Sequence, residues 1–193
     1  MLVKNLLITL SFVLLQSASV FAATAEDGAY KIDPDHSNIG FEVNHMGISL
    51  VVGRFDKFTG TVMFASKAAS SVNVDIEMNS VNTKVAQRDT HIRSASFFDV
   101  ANFPKAAFKA DKVTYDNDGN PATLEGTLTM HGQTKPVVLH VVSLGAGKAP
   151  SGEVRAGFKA KGTIKRSEFG MTQMLSTVLD EVTLLLNVEA IKQ

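Results

Sequence analysis

Hydrophobic residues recur at every second position along most of this chain, and the clearest case is residues 124–142. Leu124, Gly126, Leu128 and Met130 fall on one face of an extended strand, and Glu125, Thr127 and Thr129 on the other. His131-Gly132-Gln133-Thr134 turns the chain, and a second, Val-rich strand follows. A period of two rather than 3.6 predicts a half-buried β-hairpin, a piece of wall with a small apolar inner face.

The same alternation predicts further strands on both sides of it. Residues 37–45 place Ile39, Phe41, Val43 and His45 on one face, and residues 46–52 read as a loop or short turn. Residues 54–65 align Phe58, Gly60, Val62 and Phe64, and the next strand alternates Val72, Val74, Ile76 and Met78 with Asn73, Asp75 and Glu77. The pattern breaks over residues 83–98, where 84–92 predicts a short helix and Phe97-Phe98 a second turn packing down, ended by Phe103-Pro104. Strand returns at 105–115, followed by the turn cluster Asp116-Asn117-Asp118-Gly119-Asn120-Pro121. After the hairpin and a Gly/Ala/Pro/Ser loop, residues 155–164 set Ala156, Phe158, Ala160, Gly162 and Ile164 against Arg155, Lys159 and Lys161. Residues 165–176 are irregular. The last strand, 180–191, aligns Val182, Leu184, Leu186, Val188 and Ala190, with Leu185 and Ile191 intruding on its polar face. That intrusion predicts cover on both sides or a subunit contact. Eight strands on mostly short turns, with one helical excursion, predict an antiparallel sandwich or barrel.

Two readings of the interior stand side by side. The small residues Gly60, Ala110, Gly126, Ala156, Ala160 and Gly162 can receive the rings of Phe41, Phe58, Phe64, Phe108 and Phe158 as an ordinary packed core. They can also leave room for a guest, which an eight-stranded barrel is wide enough to hold. A guest in such a lining would be an apolar chain, since burying methylenes contributes about 0.8 kcal/mol each.

The N-terminus predicts an export signal. Lys4 supplies the positive segment, residues 6–15 form an apolar run too short to span a bilayer, and small residues follow. Residues 1–22 are expected to be removed, with cleavage as late as residue 25, leaving residues 23–193 as one domain with its own core. No later segment is apolar enough to cross a membrane, so a periplasmic protein without stable membrane insertion is expected. The absence of Cys excludes a disulfide scaffold and thiol chemistry. Balanced charge with no basic block argues against nucleic acid.

Few residues offer chemistry. The five histidines form no familiar metal spacing, so no metal site is expected unless the fold gathers distant ones. Arg88, Asp89 and Arg93 in the helical excursion, and Arg166 and Glu168 before the last strand, read either as ion pairs pinning the barrel end or as a polar mouth, with Arg88 or Arg166 meeting a phosphate, carboxylate or quinone oxygen. There is no Gly-x-Ser-x-Gly elbow, Gly-rich phosphate loop or evident carboxylate pair.

Five segments in order carry a resemblance. They are Asp33-Pro34-Asp35-His36-Ser37 leading into Phe41-Glu42-Val43-Asn44-His45; Gly53-Arg54-Phe55 with Phe58-Thr59-Gly60; Arg88-Asp89-Thr90-His91-Ile92-Arg93-Ser94 with Phe97-Phe98-Asp99-Val100 and Phe103-Pro104; Gly126-Thr127-Leu128-Thr129-Met130-His131-Gly132 with Thr134-Lys135-Pro136-Val137; and Ile164-Lys165-Arg166-Ser167-Glu168-Phe169-Gly170-Met171. Together they resemble the YceI-like, polyisoprenoid-binding family of exported bacterial proteins, from about Tyr30 to the C-terminus. The resemblance implies an all-β, eight-stranded antiparallel, lipocalin-like barrel around an elongated apolar tunnel holding a long isoprenoid or similar amphiphile. It implies no cofactor beyond that ligand and no agreed catalytic set; some members form dimers, so a homodimer is among the expected partners. On that reading the chain is a periplasmic carrier of long-chain isoprenoid lipids. Phe41, Val43, Phe58, Val62, Phe108, Leu128, Met130, Phe158 and Ile164 are expected to line the tunnel, and His45, Arg88 and Arg166 to meet the headgroup. Two alternatives are an enzyme acting on the bound lipid through His45 or His91 with Asp89, and a solid-core structural or partner-binding protein.

Overall fold

Alternating positions on the chain become eleven strands of one continuous sheet that closes on itself. The computed structural model describes residues 24–65 and 70–193; the expected signal segment falls almost wholly outside these residues. Among the described residues the strands are β1 (Gly28–Ile32), β2 (Asn38–His45), β3 (Ser49–Phe55), β4 (Phe58–Phe64), β5 (Ser71–Glu77), β6 (Val81–Asn82), β7 (Lys105–Tyr115), β8 (Pro121–Met130), β9 (Gln133–Lys148), β10 (Val154–Lys165) and β11 (Val178–Lys192), with a single α-helix, α1 (Ala86–Arg93).

Eleven strands make only eight passes of the chain. β1 and β2 both pair with β11, Ile32 opposite Ala190 and Asn38 opposite Asn187, so they are one long strand interrupted by the 3-10 turn Pro34–His36. β4 pairs with β1 and β3 with β2, and β5 and β6 continue the same staggered pattern. β7 to β11 then follow as antiparallel neighbours. The result is a closed eight-stranded antiparallel barrel of the lipocalin type. Closure gives β11 a partner on both sides over most of its length, whereas β9 beyond His140 pairs with β10 alone.

The sequence pattern missed the ends of strands more than the strands. Residues 28–32 were not expected as a strand, although their burial alternates around Tyr30 and Ile32. The expected loop at 46–52 contracts to a tight turn, because Met46 and Gly47 both adopt positive φ and Ile48 N bonds back to His45 O at 3.0 Å. The expected strand at 54–65 is broken between Phe55 and Phe58. Leu185 sits on the outer face between Lys161 and Gly40, and Ile191 between Lys31 and Arg155, so both are half-buried among cross-strand neighbours.

Among the small inner residues Ala160 lines a cavity, but the glycines do not make the space inside. A Cβ on Gly126 would meet Lys109 O and Ala110, at the point where the β7–β8 register shifts. Ile32 Cδ1 fills the position above Gly60, and Leu139 Cδ2 that above Gly162. Gly126 therefore permits close approach of two backbones and is not room kept for a lipid tail; whatever room exists comes from the barrel's radius. Because the blocking atom is a backbone carbonyl that cannot swing aside, Gly126→Ala is expected to destabilise the fold by about 1–3 kcal/mol, read as a shift of the urea midpoint at unchanged m-value.

Candidate functional site

Two cavities lie along the barrel axis. The lower one, between β1, β2, β4, β5 and β7 to β11, holds about 80 Å³ of free space, or about 700 Å³ when the solvent beside it is counted, and Ser70 is the single polar side chain on its wall among the described residues. Ser70 is itself occupied, bonding Tyr115 Oη at 2.5 Å and accepting from Ala65 N at 2.9 Å. The upper cavity, of about 1360 Å³ including its opening to solvent, lies beneath α1 and the β2–β3 hairpin. Its wall is apolar below and carries His45, Ser49, Arg88, His91 and Arg166.

The nine residues expected to line a tunnel are distributed over both. Phe41, Val43, Met130 and Ile164 line the upper cavity, and Val62, Phe108 and Phe158 the lower. Phe58 and Leu128 are buried but line neither. Leu128 lies on β8 between Leu124, on the lower wall, and Met130, on the upper; Phe58 lies between Phe55, on the upper wall, and Val62, on the lower. These two side chains stand at the waist between the chambers.

The polar end is built from short segments locked by hydrogen bonds. Asp89 Oδ1 accepts from Thr83 N at 2.8 Å and Thr83 Oγ1 at 2.5 Å, which draws the start of α1 onto the barrel. Arg88 Nε donates to Thr83 Oγ1 and its Nη2 to Thr83 O, both at 2.8 Å, while its remaining nitrogen has no hydrogen-bond partner among the described residues. Arg93 reaches Asn79 O and Val81 O, tying the helix end to the strand below. Phe98 closes over Phe55 at a 5.8 Å centroid distance.

Arg166 is buried and holds four carbonyls: Met171 O at 2.8 Å, Gln173 O and Val178 O at 2.7 Å, and Leu179 O at 3.2 Å. Burial pushes its pKa down, opposed by the Asp180 charge. Burial likewise opposes ionisation of Asp180, but hydrogen bonds from the Ser167 side chain and backbone outweigh it and hold this carboxyl below its ordinary range. With most of its donors committed to main chain, Arg166 shapes the mouth loop, whereas Arg88 and His45 retain polar atoms facing the cavity. Asp89 is spent on Thr83, and His91 stacks edge-on against Phe97 at 5.0 Å, so no His–carboxylate pair forms there. His131 also serves structure, bonding Phe169 O at 2.8 Å and packing against Phe103.

A second polar cluster, unforeseen in the sequence, sits where β1 breaks into β2. Asp33, His36 and Glu189 are close enough together for a metal ion. Arg155 already stands among them, Nη1 donating to Asp33 Oδ2 at 2.9 Å and Glu189 Oε1 at 2.5 Å, so the group is an ion-pair clamp rather than a vacant metal site. The Asp33–His36 hydrogen bond raises the His36 pKa above 6.5 and lowers that of Asp33 below 3.8. His36 therefore contributes fully below pH 6.5 and loses its contribution as pH rises through its raised value, and Asp33 loses its own as pH falls below 3.8. The Tm of the protein is expected to decline from about pH 6 to 8 more steeply than that of His36→Gln, measured by calorimetry across that range. Only the spacing Asp33-x-x-His36 hinted at this clamp, because its partners lie more than a hundred residues away.

Comparison with known proteins places this geometry. The YceI-like domain family matches residues 30–190. "Protein YceI" from Salmonella arizonae is 42% identical over 195 residues, covering 98% of each chain, and that from Salmonella dublin is equally similar. Among solved structures, the YceI protein of Campylobacter jejuni superposes with a TM-score of 0.70 at 31% identity, covering 78% of this chain and 90% of that one. BcnA of Burkholderia cenocepacia (TM-score 0.72, 24% identity, 82% and 98% covered) and a polyisoprenoid binding domain from Saccharophagus degradans (0.63, 16%, 85% and 98%) share the fold. A closed eight-pass barrel over an apolar interior, and a family match spanning nearly all of the described residues, make this chain a member of the YceI-like family.

Proposed function

We propose that the protein binds a long-chain isoprenoid lipid, of quinone or polyprenyl type, and carries it through the periplasm. The carrying observation is the gradient of polarity along one axis. A lower chamber whose one polar wall residue, Ser70, is already hydrogen-bonded lies across the waist from an upper chamber that carries His45, Arg88, His91 and Arg166. An amphiphile matches that gradient, its tail displacing no hydrogen-bonded water and its headgroup reaching Arg88 and His45. Each five-carbon prenyl unit buried supplies about 3 kcal/mol gross before ordering costs, so affinity comes from the chain and orientation from the mouth. The polyisoprenoid-binding domain with the same fold supports the ligand class. Among the described residues no paired acid and base lines either chamber, which favours a binding role over turnover of the lipid.

Native mass spectrometry of freshly purified protein, followed by organic extraction, tests the reading. The expected result is a one-to-one adduct that extracts as a prenyl lipid. Protein that retains none and takes up neither a quinone nor a prenyl phosphate on titration would overturn it.

A further inference from the structure

Two segments at the opening of the upper chamber carry no charge. Residues 43–53 and 169–179 contain no Asp, Glu, Lys or Arg. The two segments touch through Met46 N, which donates to Thr177 O at 2.8 Å, and both line the chamber through Leu50, Val51, Met174 and Val178. Their exposed side chains include the large apolar Met46, Ile48 and Val52 on the hairpin and Met174, Leu175 and Leu179 opposite, with Ile48 at 81%, beside the uncharged Ser49, Thr172, Gln173 and Ser176.

Two of these residues sit where an apolar side chain is least expected. Met46 has φ 57° and Met174 φ 56°, both in the left-handed region, at exposed turns where Gly or Asn is the least strained choice. Each turn thus presents a flexible thioether chain to the outside. Residues 83–98 carry exposed Lys84, Arg88 on the chamber wall and Arg93 held by Asn79 O and Val81 O, and their single acid, Asp89, is buried against Thr83. Apolar tips flanked by cations form the pattern of a surface that settles into the headgroup layer of an anionic bilayer.

We propose that this rim docks on an anionic lipid surface, so that the chamber opens directly into the bilayer. A second copy of the chain fits the rim less well. It would seal the opening through which a water-insoluble ligand must pass, and a two-fold contact would bring one basic flank near another, whereas a bilayer supplies the ligand there and attracts the cations. The inference rests on the proposed function for what passes through the mouth; the docking itself is tested separately.

Flotation of the mature protein with phosphatidylethanolamine–phosphatidylglycerol vesicles free of prenyl lipid reads the contact, and fluorescence titration with farnesol reads the chamber. The wild type is expected to float with the vesicles, and the double variant Met46→Asp/Ile48→Asp to partition at least about tenfold less while binding farnesol as before. Lys84→Glu should float less, and Val142→Asp, on the exposed barrel wall, as well as the wild type. A wild type that stays with the soluble fraction overturns the proposal, as does a double variant that floats unchanged or differs only by turning a dimer into a monomer. Flotation as expected with no farnesol binding by any of the proteins would leave the docking standing and remove the carrier reading.

Discussion

Arg166→Met is expected to destabilise the protein by about 3–5 kcal/mol, the largest stability effect of any single substitution considered. The loss comes from the groups that are left behind. The guanidinium gathers the carbonyls of Met171, Gln173, Val178 and Leu179, which belong to the loop that rims the chamber and to the start of β11. Without it those carbonyls face one another with no donor, and an unsatisfied buried acceptor costs about 1–3 kcal/mol. A methionine of similar length fills the volume, so the loss measures hydrogen bonding and not a cavity. Arg166→Lys should recover only part of it, because one ammonium cannot span carbonyls that a planar fork holds together. Urea denaturation followed by circular dichroism gives both differences. A loss below about 1 kcal/mol for the methionine variant would mean that the loop holds its shape without this anchor.

Leu128→Trp is expected to divide prenyl ligands by length. Leu128 stands at the waist, and an indole there blocks passage to the lower chamber while leaving the mouth and its polar groups in place. A ligand short enough for the upper chamber should bind within about threefold of wild type, whereas one long enough to fill both should lose about 100-fold or more, equivalent to about 2.7 kcal/mol. That is less than the gross burial of a single prenyl unit, so the loss is well within what the lower chamber can supply. Overpacking costs about 1–3 kcal/mol of fold stability, which a thermal melt of the free protein measures separately. Equal losses for short and long chains would show that Leu128 does not stand between the chambers.

How much of this was legible in the sequence follows from how far each interaction reaches. Strand faces are local, and alternation alone assigns Phe41, Val43, Phe58, Val62, Phe108, Leu128, Met130, Phe158 and Ile164 to the inside, where the structure buries them. The count of eight passes was legible for the same reason. Backbone breaks were not: Pro34 and the Asp33 cap mark the one at Asp33–Ser37 locally, with no alternation around it to show that strand resumes, and the one at Asp56–Lys57 is held by the distant Ser80. Glycines misled for a related reason: their parity places them inward, yet whether the vacated volume is open or filled depends on the neighbouring strand. At Gly126 that strand is the Lys109 backbone. Arg166 looked like a headgroup ligand because a lone arginine near an irregular segment is chemically versatile, and its four carbonyl partners are spread over residues 171–179 in a conformation that no short motif announces. The apolar rim was visible as sequence but read as loop, since exposure is a property of the folded chain.

The central claim is that an isoprenoid chain lies inside the barrel, across both chambers, with its headgroup at the mouth. Photocrosslinking with a polyprenyl phosphate carrying a diazirine at its chain end, followed by peptide mass spectrometry, tests it most directly. The account predicts label on wall residues of the lower chamber such as Phe108, Phe158 and Val188, and a shift of that label towards Met130 and Ile164 in Leu128→Trp. Label confined to the outer barrel surface, or to the rim alone whatever the chain length, would contradict it.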